Sequence, residues 1–459
     1  MADRREGRLR VRLWRRRAWH RTRHTGEAPP VEGPPLPDEA TVHLVLDLAL
    51  RVGEAQMAGG AGAADVTATV LAVATAYGLP HTEVDVTYTA ITASCHRGTG
   101  APPATALRVV RGRSVDYTRL AAVEDLIRRI AAGGVTAVDA IAAIERIGRA
   151  EHPYPRWVAT LAWAGMAASV ALLVGGGPPL AATAAVVTAL IDRVGRLLNR
   201  RSLPFFFQQV VGGALATAVA VALYAADLLT GVRPSLLIAT GIVVLLSGLS
   251  LVGTVQDAIT GYNVTAAGRT VEVALLTAGL IAGIALTLRA GVQFGVRTTV
   301  TDPLPPLISD VPVQFAAGAS TAAFFALASY APVRALPVAA AAGAVGTGSY
   351  GLLALTGTNT ITCAAVAATV VGFGGKVVSR RLGMPPLLVA VAGMVPLLPG
   401  WTTYRGLYQL TAEGDPTGLS TLALAAGTAL ALASGVVLGE HLGRPVRTGL
   451  GRLAARSRR

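Results

Sequence analysis

The chain has 459 residues, of which 52% are hydrophobic and only 14% are charged, and its mean hydropathy is +0.54. This is too apolar for a soluble protein of its size, so the composition excludes a soluble globular enzyme and indicates a polytopic membrane protein. The formal charge of +14 would suggest a nucleic-acid partner in a soluble chain, but the excess arginines lie largely at the two ends. Cys95 and Cys363 are far apart in the sequence, so no disulfide framework is predicted.

Both ends of the chain are basic. Residues 1–37 begin with a run of arginines and then become rich in proline, with no apolar segment that would make a signal peptide. This pattern predicts a disordered cytoplasmic tail that contacts anionic lipid head groups, and the basic tail at 444–459 has the same predicted partner. A nucleic-acid-binding arm is disfavoured because no folded nucleic-acid module follows.

Residues 38–155 are predicted to form a small cytosolic α+β domain. Apolar residues at helical spacing indicate two helices before and two helices after a pair of strands. The first strand is predicted in HTEVDVTYTAITAS, where Val84, Val86 and Tyr88 alternate with polar residues, and the second is ALRVVR. The predicted order is therefore ααββαα.

Little in this domain indicates catalysis or metal binding. Cys95 and His96 are adjacent, which does not match the spacing of the common zinc motifs. The Gly-rich segment 59–65 lacks the Lys-Ser/Thr of a phosphate-binding loop, so it is predicted to be a turn between two helices. We therefore expect no metal and no cofactor.

Segments long and apolar enough to cross a bilayer, about 20 residues each, begin after residue 156. Ten are predicted, of which the second and the ninth are short. They are 157–174, 179–191, 205–229, 235–253, 271–290, 313–330, 335–355, 360–378, 386–400 and 419–440. Several are rich in Gly and Ala, which allows membrane helices to approach closely.

Positive charge alternates between the connections of these spans. One set contains Arg193, Arg196, Arg200, Arg201, Arg269, Arg334, Lys376, Arg380 and Arg381. The other set contains only Arg233, Arg289, Arg297 and Arg405. Because cytoplasmic loops carry an excess of Lys and Arg, the first set, both termini and the α+β domain are predicted to lie in the cytoplasm.

The ten spans divide into one half at 156–300 and another at 311–443. Five spans per half place the halves in opposite orientations, which is the inverted-repeat arrangement of many secondary transporters. The fourth and ninth spans then correspond. Both end in glycine before a polar stretch, and the ninth is also interrupted by Pro396, Pro399 and Gly400. Interrupted segments at matching positions predict a substrate site.

The segment 247–272 is polar and lies between two membrane-length runs. Ionisable groups in such a position are costly to desolvate and are therefore functional candidates. The alternative is an ordinary solvated loop between two helices. The candidate side chains are Gln256, Asp257, Asn263, Arg269 and Glu272.

At these residues the chain resembles the bacterial threonine/serine exporter family, from about residue 50 to residue 443. The resemblance rests on GGAGAADVTATVLAVATAYGL, VDVTYTAITAS, YPRWVATLAWAGMAASVALLVGG, SLVGTVQDAITGYNVTAAGRTVEV and MVPLLPGWTTYRGLYQL. It implies a cytosolic domain followed by ten spans in two related halves. It also implies proton-driven efflux of small hydroxy amino acids across the bacterial inner membrane.

A zwitterionic substrate needs a partner for each of its polar groups. Arg269 is the candidate for the carboxylate, and Asp257 or unwound backbone carbonyls near Pro399 and Gly400 are the candidates for the ammonium group. The candidates for a side-chain hydroxyl are Ser247, Ser250, Gln256, Asn263 and Tyr404. Proton coupling requires a partly buried carboxyl group, for which the candidates are Asp257 and Glu272.

Two other classes of function are alternatives to transport. A membrane-embedded enzyme is disfavoured because no span contains a cluster of His, Asp and Glu. A membrane-anchored sensor or scaffold that acts through the cytosolic domain is the remaining alternative, although ten spans exceed what anchoring requires. The direction of transport, the coupling ion and the formation of a homo-oligomer stay open at this point.

Overall fold

A computed structural model of the chain describes residues 38–97, 102–112, 115–228, 234–242, 245, 248–293 and 311–456. The predicted basic tail at 1–37 and the candidate Ser247 lie outside the described residues. The connection between the two predicted halves is described only from residue 311 onward.

The N-terminal part, residues 38–155, is an α/β arrangement that we call the αβ region. Its elements in chain order are α1 Glu39–Ala58, α2 Ala63–Ala76, β1 Thr82–Thr87, β2 Ala90–Cys95, β3 Ala104–Val109, α3 Tyr117–Ala131 and α4 Ala137–Arg149. The strands form one antiparallel sheet in the order β1-β2-β3, with Val86 opposite Ile91 and Ala93 opposite Ala106. Helix α1 lies in the core of this region, where Leu46 and Leu48 are fully buried.

The predicted order ααββαα is wrong by one strand. The stretch predicted as a single first strand is a hairpin, because the chain reverses at Tyr88 and Thr89 between β1 and β2. Tyr88 has a φ of 53°, a conformation that short hairpin turns require but that Gly, Asn and Asp adopt most readily. The turn therefore lacks the residues by which such hairpins are recognised in a sequence. The predicted turn at 59–65 is confirmed, since α1 ends at Ala58 and α2 begins at Ala63.

The rest of the chain is helical. The helices are α5 Arg156–Leu173, α6 Pro178–Arg200, α7 Phe205–Ala225, α8 Pro234–Gly241, α9 Gly248–Ile259, α10 Asn263–Gln293, α11 Val311–Ala328, α12 Leu336–Ala354, α13 Thr360–Leu382, α14 Pro386–Met394, α15 Gly400–Tyr408 and α16 Thr417–Arg456. A π-helical turn, Gln409–Glu413, follows α15. Helix α16 continues through most of the segment predicted as a basic tail.

Seven helical segments of the described chain are long and apolar enough to cross a membrane, and an eighth is the bent pair Pro386–Leu397 and Gly400–Tyr408. These eight coincide with eight of the ten predicted spans. The predicted second span lies in α6, which carries Asp192 and Arg196 near its C-terminal end, and the predicted fourth span is divided between α8 and α9. The chain is therefore a multi-pass membrane protein.

Glycine allows close packing in two helix pairs. A Cβ atom on Gly283 of α10 would overlap the carbonyl oxygen of Val210 in α7. In the same way, a Cβ atom on Gly439 of α16 would overlap the carbonyl oxygen of Thr369 in α13. Small residues stabilise membrane helix pairs because the backbones come into van der Waals contact. The helix pairs α7–α10 and α13–α16 therefore both depend on a glycine where their backbones approach most closely.

Candidate functional site

Two apolar segments are interrupted inside the helical part. Helix α8 ends at Gly241 and α9 begins at Gly248. Helix α14 passes into a short 3-10 turn and is followed, after Pro399, by α15, with a bend of 43°. The sequence predicted the second of these interruptions, at Pro396, Pro399 and Gly400. It did not predict the first, because the fourth span was expected to continue to Gly253, which lies inside α9. Breaks of this kind leave backbone groups that a substrate or ion can bind.

A small cavity lies between these two interruptions. Its walls come from Ile242 after α8, from α10, and from α15 with Tyr404 and Tyr408. The α10 residues in the wall are Leu280, Ile281 and Ile284. The cavity has room for about one water molecule. It is therefore apolar apart from the two tyrosines and is bounded by elements of both predicted halves.

Tyr404 contributes an unusual group to this cavity. Its side chain is 2% exposed, and its hydroxyl has no hydrogen-bond partner among the described residues. The ring lies between those of Trp401 and Tyr408, at centroid distances of 5.9 and 6.0 Å. A buried hydroxyl without a partner costs about 1–3 kcal/mol, so its presence favours a role in binding.

Asp257 and Arg269 form a buried ion pair. Asp257 Oδ2 on α9 lies 2.6 Å from Arg269 Nη1 on α10, and the two side chains are only 1% and 8% exposed. The other carboxylate oxygen, Oδ1, accepts a hydrogen bond of 2.9 Å from the backbone N–H of Ala63, the first residue of α2. A carboxylate at a helix N-terminus is favourable because the unpaired N–H groups and the helix dipole both attract negative charge.

The structure divides the predicted site into two places. Arg269 and Leu280 are both on α10, and at 1.5 Å per residue their positions are about 16 Å apart along the helix axis. The ion pair therefore lies at the αβ region, whereas Tyr404 lies in the cavity. Of the other candidates, Gln256 and Glu272 are half-buried, Ser250 and Asn263 are exposed, and Pro399 is buried at the bend before Gly400.

The αβ region is also hydrogen-bonded to the α9–α10 corner. The hydroxyl of Thr265 on α10 donates to the carbonyl of Val86 at 2.8 Å and accepts from the N–H of Tyr88 at 3.0 Å. The hydroxyl of Tyr262 lies 2.8 Å from Thr67 Oγ1 on α2. No local sequence pattern predicts these contacts, because they join residues more than 170 positions apart.

A second set of contacts joins the αβ region to the corner after α11. The N–H of Tyr117 donates to the carbonyl of Ser329 at 3.0 Å, and the hydroxyl of Tyr154 donates to the carbonyl of Ala331 at 2.9 Å. The ring of His152 stacks on that of Tyr330 at a centroid distance of 4.1 Å. The αβ region thus contacts both halves of the helical part.

Glu124 of α3 is half-buried and lies close enough to Lys376 of α13 for their charges to interact. Burial raises the pKa of this carboxyl from an ordinary 4.5 to about 7. Arg128 on the same helix and Lys376 on α13 oppose the rise in pKa, and Asp65 on α2 adds to it. Desolvation raises the pKa because it penalises the charged form of the carboxyl. Here this effect is larger than the opposing effect of the two cations.

We expect this carboxyl to make stability depend on pH. Because its pKa is higher in the folded state, the protonated folded form is favoured below pH 4.5, and that contribution is lost as the pH rises to about 7. The Glu124→Gln variant should remove this decline, which is on the order of 2 kcal/mol. Thermal unfolding of the full chain at pH 5 and pH 8 measures it, with the exposed Glu151→Gln as the control. An equal decline in the Glu124→Gln variant would contradict the assignment.

A multi-pass helical protein with two interrupted segments facing one cavity belongs to the class of membrane transporters. Comparison with known families agrees. A family model described as "Putative threonine/serine exporter" matches residues 47–291, and one described as "Threonine/Serine exporter, ThrE" matches residues 314–442. The chain belongs to the threonine/serine exporter family, which is a family of transporters and not of enzymes.

Two relatives cover most of the chain. A "Probable threonine/serine exporter" from Mycobacterium tuberculosis (strain ATCC 25618 / H37Rv) is 43% identical over 91% of this chain and 79% of its own length. The "Threonine/serine exporter" of Corynebacterium glutamicum is 37% identical over 90% of this chain and 85% of its own length. No solved structure matches the chain.

Proposed function

We propose that the chain exports threonine, serine and similar small hydroxy amino acids by proton antiport, along a route between the two halves. The names of the two relatives support the substrate class, and the shared family supports export. Antiport results when the proton and the substrate compete for binding to the protein. A carboxyl whose protonation and substrate binding at the cavity exclude each other through a conformational change moves the two in opposite directions. Asp257 and Glu272 are the carboxyls proposed for this role.

The proposed architecture has ten spans in two inverted halves of five. In that numbering, α7 and α10 are the third and fifth spans, and α13 and α16 are the eighth and tenth. The two glycine-packed pairs therefore occupy equivalent positions. The interrupted segments are the fourth and ninth spans, which are equivalent as well. Packing of α5 on α6 matches packing of α11 on α12. This agreement of three independent features supports the repeat.

The proposed orientation places the αβ region and both termini in the cytoplasm. The αβ region contacts the corner before Arg269 and the corner before Arg334. Its Glu124 is close enough to Lys376 for the two charges to interact. Connections with excess positive charge are thus on the side of the αβ region. Cytoplasmic loops have this excess, which supports the orientation.

The Tyr404 hydroxyl, which finds no hydrogen-bond partner in the described part of the chain, is the observation that carries the proposed substrate position. The side chain of threonine has one hydroxyl and one methyl group. The cavity offers one free hydroxyl and a wall of Leu and Ile side chains, so both groups find suitable partners there when the cavity widens. Unwound carbonyls near Pro399 and Gly400, at the start of α15, are the proposed partners of the ammonium group.

The Tyr404→Phe variant tests this position. Removing an unsatisfied buried hydroxyl should leave the thermal stability equal to or above that of the parent. Transport of threonine should nevertheless fall about tenfold, with most of the loss in KM, because a hydrogen bond to the substrate is gone. The matched control is Tyr77→Phe, whose hydroxyl donates to the carbonyl of Val135 inside the αβ region, away from the cavity. Threonine transport by Tyr404→Phe at the parent rate would refute this substrate position.

A further inference from the structure

The αβ region is attached to the helical part along two separate edges. We call the contacts of Tyr117, His152 and Tyr154 with residues 329–331 the hinge contacts. We call the contacts of α2 and the β1–β2 turn with the α9–α10 corner the latch contacts. They are the hydrogen bonds from Ala63 to Asp257, between Thr67 and Tyr262, and between Thr265 and the backbone of Val86 and Tyr88.

The hinge edge is fixed more strongly than the latch edge. It includes the covalent connection, since residues 150–155 run directly from α4 into α5. Tyr117 is buried in a shared apolar core with Met166 of α5 and Phe325 of α11. Asp116 accepts from the N–H of Arg119 at the start of α3 and lies 2.7 Å from Nδ1 of His152, so it joins the helix to the connection. Burial of large side chains holds this edge in place.

Apart from the half-buried ring of Tyr262, which packs against the core of the αβ region, the latch edge consists of polar contacts. Each can be exchanged for a hydrogen bond to water when the surfaces separate, so its net contribution is modest. The buried carboxylate of Asp257 is at the centre of these contacts and is carried by α9, which begins directly after the first interruption. A movement of α9 would therefore displace Asp257 from Ala63.

We propose that the αβ region is a hinged lid, closed by the latch contacts around Asp257, which must release the α9–α10 corner in each transport cycle. This inference rests on the proposed function, because it assigns a regulatory step to that transport. The lid bridges both halves, so the halves cannot rock against each other while both edges stay bound.

A reversible disulfide across the latch tests the lid. A Cβ atom built on Gly268 would lie 3.4 Å from the Cβ atom of Tyr88, close to the separation of about 3.8 Å in disulfides. Oxidation of the Tyr88→Cys/Gly268→Cys variant should lower threonine flux in proteoliposomes at least tenfold, and a reductant should restore it. The matched control is Ser94→Cys/Thr105→Cys, which links β2 to β3 inside the αβ region, where the two hydroxyl oxygens are 2.9 Å apart. Equal flux in the oxidised and reduced latch variants would overturn the proposal.

A distance measurement separates failure of the lid from failure of the proposed function. Spin labels at the exposed positions Glu83 and Thr260 report on the latch in the full chain, whichever solute is transported. In the Asp257→Asn background this pair should gain a population of longer distances, because the charge that holds Ala63 and Arg269 is lost. The control pair, Glu83 with Asp125, lies within the αβ region and should not change. A single unchanged distance between Glu83 and Thr260 would refute the lid even if the protein transported no threonine.

Discussion

Replacing Asp257 with asparagine should lower the free energy of unfolding by about 3 kcal/mol or more, because the change breaks a buried ion pair on one side only. The partner, Arg269, is 8% exposed, so water cannot readily replace the lost carboxylate. Arg269→Gln should cost a similar amount for the same reason. The double variant should cost less than the sum of the two single variants, with a coupling energy of about 2 kcal/mol.

The chain contains a matched control for this cycle. Asp125 and Arg128 of α3 approach to 3.0 Å, but their side chains are 56% and 55% exposed. Exposed pairs one helical turn apart contribute about 0.3–0.5 kcal/mol, so the same cycle there should give a small coupling energy. Thermal unfolding in detergent measures both cycles. Additive single effects at Asp257 and Arg269 would contradict the assigned pair.

The second large effect concerns coupling to the proton gradient. Asp257→Asn keeps the size of the side chain and one oxygen that can accept from Ala63, but it removes the group that binds a proton. If Asp257 is the coupled carboxyl, exchange of threonine across the membrane should survive, while accumulation driven by an imposed pH gradient should fall to the level of protein-free vesicles.

Two further variants make this result specific. Glu272→Gln tests the competing carboxyl on α10, and it should retain gradient-driven transport if Asp257 is the coupled group. Arg269→Gln should weaken exchange as well as gradient-driven transport, because it leaves the buried carboxylate of Asp257 without its cation in both modes. If the Asp257→Asn variant accumulates threonine as well as the parent does, Asp257 does not bind the coupling proton and serves only to dock the αβ region.

The class of the protein could be predicted from the sequence because the bilayer fixes the length of a span. Eight of the ten predicted spans coincide with apolar helical segments long enough to cross a membrane, and the predicted interruption of the ninth span is present. The break after Gly241 was not predicted, because the sequence there is apolar and contains no proline. The β1–β2 hairpin was missed because its turn, at Tyr88 and Thr89, has none of the usual turn residues. Thr265 stabilises that turn from α10, and such tertiary support has no local signal.

Which polar side chains are buried could be predicted in part. Asp257, Arg269 and Tyr404 were all singled out from their positions next to apolar runs, and all three are buried. What could not be predicted was their grouping. The partner of Asp257 in the αβ region is a backbone N–H 194 positions away, and any residue except proline presents such a group. The Leu and Ile side chains around Tyr404 are chemically ordinary for a membrane helix, although Tyr408, one turn later, could have been recognised as sharing its face.

The flux of labelled threonine in proteoliposomes that contain the purified full chain tests the proposed export most directly. With an imposed pH gradient, we predict that threonine accumulates against its own gradient, that collapse of the pH gradient abolishes the accumulation, and that excess serine competes. Threonine movement equal to that in protein-free vesicles, with and without the gradient, would contradict the proposed function.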